Sequence, residues 1–450
     1  MPGADFEGMR GAFRPTGDQT RGPRRRSGPD LTRGRRWAFV LVSLAAIAGG
    51  ILALGHPWSA ATARRQYYVN IHWGSDSNPG TSPLCPWQTL APLKDHPLQP
   101  GDVVNLARGS SWDGGLEISE SGAMGRPITF RAYGFGCRPI IRNPGRQWAK
   151  AITVNADWIV LQGLLVQDTH EYGIYIAKGA DHNKVEDCEA TQVGTGIGVF
   201  GDSNLITRNW VHDLTMILNT PGGDDDYGAV GIGLFSSGNE ISHNRLERCR
   251  APSYDYGTDG GAIEVYGDTT ANYIHHNWAH ENSGFIELGG GTIRDSVVAY
   301  NVALNNGTFA VVHLSGRHGG TVSRFCIDNN TIVEALRGDA ILDFDGDLAP
   351  ETLFLRNNIL FVGRFRLVSD RSTIAHSNNL FYFAQPGTAL GFELGSGERV
   401  ADPQFVDLNK NDFHLRSGSP ALRSGLKLHY EGGHPALPAA GEDTPNIGAF

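Results

Sequence analysis

The sequence predicts an all-β solenoid, a parallel β-helix, preceded by one apolar segment long enough to cross a membrane. The first observation is a short motif that recurs as DCEA, RNWV, HNRL, HNWA, YNVA, NNTI, NNIL and NNLF. Its second letters are Cys188, Asn209, Asn244, Asn277, Asn301, Asn330, Asn358 and Asn379, at gaps of 21, 35, 33, 24, 29, 28 and 21 residues. Each gap is one solenoid coil, enlarged in places by an insertion. Stacked coils place equivalent residues about 4.8 Å apart, where an Asn at a tight turn can bond the Asn above and below. The second observation is a strand in each coil that alternates apolar residues and closes on a small residue, as in GGAIEVYG and SGFIELGG. That period of two excludes helical repeats, and leucine-rich repeats would need more Leu. The third is the run Trp37 to Gly55, nineteen residues without a charge.

At about 1.5 Å per residue this run spans one bilayer as a helix. Arg33, Arg35 and Arg36 precede it, which by the positive-inside bias places the N-terminus in the cytoplasm and the bulk of the chain outside. Residues 1–36 hold nine Arg, no Lys and four acids, giving +5, and the other 414 residues then carry −14 of the total −9. The basic segment reads as a disordered cytoplasmic tail. The expected location is the cell membrane, single-pass. Cleavage after Ala63, a signal-peptide reading, would make the protein secreted. Five Cys permit at most two disulfides in an exported chain; Cys85 and Cys137 are the candidate pair, against five free thiols. An acidic exported part argues against nucleic acid as a partner.

Residues 66–150 form the expected N-terminal cap and first coils, 151–385 the repeats and 386–450 a C-terminal capping segment. The opening order QYYVNIHWG, GSDSNPGTSP, WQTL and LQPGDVVNLARG resembles the start of exported bacterial right-handed parallel β-helix proteins, and ADPQFVDLNKNDFHLRSGSPALRSG with terminal NIGAF resembles their end segment. The resemblance to the pectate-lyase-like superfamily spans residues 66–450 and implies two capped ends, without matching a specific enzyme family. Polygalacturonases carry NTD, DD, GHG and RIK in order. Here GTDG follows the DDD run, GRHGG replaces GHG and RIK is missing, so that site is not carried over.

Aligning the second strand of each coil gives an outward column of Tyr175, Gly198, Gly233, Glu264, Glu287, His313, Asp343 and Arg366. Two glycines would leave a floor without side chains, and four ionisable groups follow it. Glu264, Glu287, His313 and Asp343 are therefore the candidate catalytic residues. Glycoside cleavage needs a proton donor and a second carboxylate, roughly 5 to 5.5 Å apart in retaining enzymes, and neighbouring rungs supply about 4.8 Å. Like charges so close raise one pKa, which suits the donor. Glu287 is assigned as acid/base and Glu264 as nucleophile, with the reverse left open. The two longest insertions precede the third and fourth column strands and should wall the same face, making Tyr227, Tyr256 and Asp259 candidate substrate-binding residues together with Tyr266 and Arg317. The triplet Asp224–Asp226 lacks a calcium-loop pattern and reads as a solvated turn.

These features point to an extracellular carbohydrate-active enzyme, a glycoside hydrolase acting on a polysaccharide or oligosaccharide, with no cofactor required and no metal site assigned. The β-helix xylosidases are similar in using acids on neighbouring coils. One alternative is a polysaccharide lyase or uronate epimerase, with Ca2+ as its cation. No Lys lies between Lys184 and Lys410, which excludes a Lys base in the ladder coils. His313 with Arg317 or Arg294 would have to substitute. The other alternative is a non-catalytic carbohydrate-binding or structural β-helix.

Overall fold

The computed structural model describes residues 64–334, 342–346, 352–362, 374–384, 392–428 and 444–450. The cytoplasmic-tail and membrane-anchor expectations, and Arg366, lie outside them. Among the described residues no helix is long and apolar enough to cross a membrane.

Over the described residues the chain winds as a parallel solenoid with three long sheets of twelve, nine and twelve strands, each pairing with the equivalent strand of the next coil. One continuous apolar core fills the interior, running from Val69 and Trp87 to Leu360 and Phe381. The Asn repeat lies inside, at the corner where one sheet gives way to the next. Asn209, Asn244, Asn277, Asn301, Asn330, Asn358 and Asn379 are all buried. Each Oδ1 from Asn244 to Asn379 accepts both the backbone N–H and the Nδ2 of the Asn one coil earlier, at 2.8–3.0 Å. Each Nδ2 also donates to a carbonyl such as Ile274 O, at 2.9 Å from Asn301. A buried corner with spare backbone groups is thereby satisfied without water. The residue before each ladder position has positive φ, from Asp187 (54°) to Asn378 (53°), so a left-handed residue followed by Asn makes the turn.

At the N-terminal end the GSDSNPGTS loop folds over Trp87, whose Nε1 donates to Asn78 O at 2.9 Å. Gly80 (φ 69°) is needed there, because a Cβ would lie 2.3 Å from the indole. The C-terminal segment departs from the expected end cap. Arg399–Val400 adds a last strand to the third sheet, and the chain then doubles back along that sheet's outer face. There Phe405, Phe413, Ala421 and Ile447 bury Val302, Leu304, Val333 and Ile359. Outward apolar residues on those strands required a cover, and the segment supplies it along the flank. Trp278 joins this layer, stacked on Phe413 at 5.8 Å. All five cysteines are free; Cys85 and Cys137 are both exposed, so the suggested pair does not form.

Candidate active site

The nine-stranded sheet carries the outward column. Pairing gives Tyr175, Gly198, Gly233, Glu264, Glu287, Val311 and Asp343 in successive coils. Glu264 and Glu287 are direct register partners, as the sequence indicated. His313 is not their rung-mate. Val311 pairs with Glu287, and His313 lies two residues on, just past the strand Thr308–Val312. The register is set by Phe309, which stacks on Phe285 at 4.8 Å inside the coil; aligning on the polar residues alone misses that apolar match. Two residues is one strand period, so His313 still faces the same side.

From there His313 bends back over the column. Its Nε2 lies 3.1 Å from Glu287 Oε1 and its Nδ1 3.1 Å from Asp345 Oδ2. Asp345 in turn accepts from the backbone N–H of Leu314 at 2.5 Å and of Ser315 at 3.0 Å. Asp345, absent from the sequence candidates, is thus the acid that orients His313. Asp343 stays on the column, exposed and beyond Val311.

Tyr266 donates its hydroxyl to Glu287 Oε1 from the neighbouring rung. The three glycines after Leu288 make this reach feasible. A Cβ on Gly289 would stand 3.0 Å from the Tyr266 ring and one on Gly290 2.8 Å. The ring therefore crosses onto the next coil where those side chains are missing.

The two carboxyls of the pair sit in opposite electrostatic settings. Among the described residues no donor hydrogen-bonds Glu264, and burial, then the charges of Glu287 and Asp259, hold its pKa well above the ordinary carboxylate value. Burial pushes Glu287 upward too, but hydrogen bonds from His313 and Tyr266 and the His313 charge outweigh it, leaving Glu287 below the ordinary value. The hydrogen bond to Glu287, set against some desolvation, raises His313 to about 9. His313 is accordingly an imidazolium at neutral pH. Asp259, the last residue of the strand Gly257–Asp259, is raised to about 6 by burial, with Glu287 adding to it. Burial and the neighbouring groups thus favour the proton on Glu264 and the charge on Glu287, which is the alternative that the sequence reading left open.

The insertions do wall this face. Met216–Leu218 pairs with Tyr227–Gly228, and Ala251–Ser253 with Gly257–Asp259, each antiparallel and each leading directly into a column strand. Tyr227, Tyr254 and Tyr256 are exposed on them. Carboxylate oxygens of Asp225, Asp226 and Asp255 lie within 4.8 Å of one another. They tie the hairpins together: Asp226 accepts from Thr220 N (2.6 Å), Ser253 Oγ (2.7 Å) and Asp255 N (3.0 Å), while Asp255 accepts from Asp225 N (3.0 Å). Buried Asp226 is therefore a folding element of the wall and not part of a solvated turn.

The glycine floor is not bare. A Cβ on Gly198 would lie 2.5 Å from the Tyr172 ring, and one on Gly233 2.8 Å from Phe235. Phe200 and Phe235 stack at 4.3 Å, with Tyr172 and Tyr175 packed edge to face or tilted beside them. The missing side chains make room for a half-buried aromatic pavement on the rungs before Glu264. The signal for it was present in sequence as Phe200 and Phe235 two residues after each glycine.

Together these features define a parallel β-helix whose nine-stranded sheet carries an acidic column beside two inserted hairpins. Residues 150–332 match the family described as right handed beta helix region. The fold is shared with pectate lyase Pel9A, at TM-score 0.58 and 18% identity over 86% of this chain and 96% of that one. It is shared also with XylC, solved in complex with xylose, at TM-score 0.51 and 11% identity over 75% and 87%. A lacto-N-biosidase of Bifidobacterium longum subsp. longum is 38% identical over 98 residues. That match spans 20% of this chain and 6% of the relative's length.

Proposed function

We propose that the protein is a glycoside hydrolase acting on a polysaccharide or oligosaccharide, displayed outside the cell behind the 37–55 segment. The observation that carries the reading is the asymmetry of the Glu264–Glu287 pair. A donor to the leaving glycosidic oxygen must hold a proton, and burial keeps one on Glu264. A nucleophile or base must be ionised, and Tyr266 with His313 keeps Glu287 so. Neighbouring rungs, about 4.8 Å apart at the backbone, suit the close spacing of a retaining mechanism, with Glu287 forming the glycosyl-enzyme and Glu264 returning as base for water. The aromatic pavement beside Glu264 suits a pyranose face. The lacto-N-biosidase segment and the xylose-bound fold relative support a carbohydrate substrate.

Lyase chemistry needs an unprotonated base beside a uronate carboxylate. His313, raised to about 9 and held between two carboxylates, is poorly suited to that task at neutral pH. A polysaccharide panel scored for reducing ends and for the ultraviolet absorbance of unsaturated products tests the reading. Reducing ends lost in both Glu264→Gln and Glu287→Gln are expected; unsaturated products, or undiminished turnover in either variant, would overturn it.

A further inference from the structure

The inserted loop of the third coil and the loop after the sixth column strand meet each other. Arg317 Nη1 donates to Asp224 O at 2.5 Å, and Tyr256 Oη to Asp224 Oδ1 at 2.6 Å. These groups start from opposite margins of the sheet. Asp224 precedes the strand Val230–Leu234, and Tyr256 precedes Gly261–Tyr266, so both belong to the margin where column strands begin. Arg317 follows Thr308–Val312, at the margin where they end. In register the first of these strands lies one coil before Glu264, and the last one coil after Glu287. A contact between Asp224 and Arg317 must therefore pass diagonally over the two coils that carry the carboxyl pair.

We infer that Arg317, Asp224 and Tyr256 form a strap across the cleft, which makes the site end-acting on short or chain-terminal glycans and closes it to long chains lying along the solenoid axis. The inference rests on the hydrolase reading. Beside the carboxyl pair the backbone bears no side chain at Gly261 or Gly284. A Cβ on Gly261 would meet only Gly284 O at 3.7 Å and Glu264 Oε1 at 3.9 Å, and one on Gly284 only Thr308 O at 3.8 Å. A terminal sugar needs only one open side of the carboxyl pair, while a polymer needs an unobstructed groove on both sides. The strap itself is three side-chain or backbone groups on three loops, which one substitution can release.

The test has two parts. Hydrogen exchange of the full chain without substrate should show residues 219–226 protected, and Arg317→Ala should raise their exchange at least about tenfold, the loss of one charge-assisted hydrogen bond. Unchanged exchange in Arg317→Ala, and likewise in Tyr256→Phe, would overturn the strap whether or not any glycan is turned over. The second part follows product sizes from the polymer that the activity panel selects. One product size from the first turnovers is expected of the wild type, and a rise in polymer over oligosaccharide kcat/KM of roughly tenfold in Arg317→Ala. A ladder of internal fragments from the wild type overturns the inference while leaving the hydrolase reading intact.

Discussion

Two ladders climb this solenoid, one inside and one outside, and they obey opposite rules. Inside, the same residue recurs in coil after coil because Asn carries both donor and acceptor, so every copy completes its neighbours. Outside, the column runs from an aromatic residue through two glycines to acids, and where it repeats an acid, at Glu264 and Glu287, the charge of one disfavours ionisation of the other. A carboxyl has no donor to offer its twin once ionised. Repetition is stabilising only for a self-complementary group, so the repeat of an acid on adjacent rungs costs stability, and the proposed hydrolase reading gives that cost a use.

The sharpest way to break the comparison is to neutralise the outer pair. Glu264→Gln and Glu287→Gln should each lower kcat about 10²–10⁴-fold, the usual worth of a positioned acid, base or nucleophile, with circular dichroism unchanged. Asn301→Ala strikes the inner ladder instead. It removes an acceptor for Asn277 N and Nδ2 and a donor to Ile274 O, all buried, and should cost about 1–3 kcal/mol or more in denaturant unfolding. An inner substitution that spared stability but abolished activity would invert the assignment of the two ladders.

Finer tests concern the groups that hold Glu287 ionised. On the hydrolase reading, activity should fall on the acid side as Glu287 takes up a proton. His313→Ala removes a hydrogen bond and a positive charge, so Glu287 rises and the acid limb of kcat/KM moves to higher pH. Asp345→Asn should move it the same way but less, because His313 loses an anionic partner yet keeps its contact with Glu287. Tyr266→Phe removes one neutral donor and belongs between them or below. An acid limb that stays in place in all three would exclude Glu287 as the ionised group.

The inner ladder was legible residue by residue, because Asn recurring at coil spacing can bond its own copies only where the coils stack. The pairing of Glu264 with Glu287 was legible through their strands, which match in length and apolar pattern. His313 was displaced by two because register follows the buried Phe285 and Phe309, whose stacking has no polar trace in the motif. Asp345 was missed because a carboxylate two residues beyond a column position reads as a turn, and only the backward bend of His313 brings it into play. Which carboxyl of the pair keeps its proton was not legible, and the sequence left both orders open. The order depends on Tyr266 crossing to the next coil and on which carboxyl is denied donors, both consequences of side-chain direction.

The smallest expected effect is also the one that ties the two ladders together. Glu264 has a folded pKa above its unfolded value, so the folded state holds the proton more tightly. Its contribution to stability is full below the ordinary value of 4.5 and is lost as pH rises from there through the folded pKa. At neutral pH the group is thus a liability to the fold, retained on the hydrolase reading because the donor must stay protonated. Glu264→Gln keeps the shape and cannot ionise. It should match the wild type in thermal unfolding midpoint near pH 4 and exceed it increasingly toward pH 7, while kcat is lost at both. Equal midpoints at all pH values would mean that Glu264 is not desolvated in the cleft. A midpoint that falls in the variant would place the carboxyl in a structural hydrogen bond, making this rung of the outer ladder no different in kind from the Asn rungs inside.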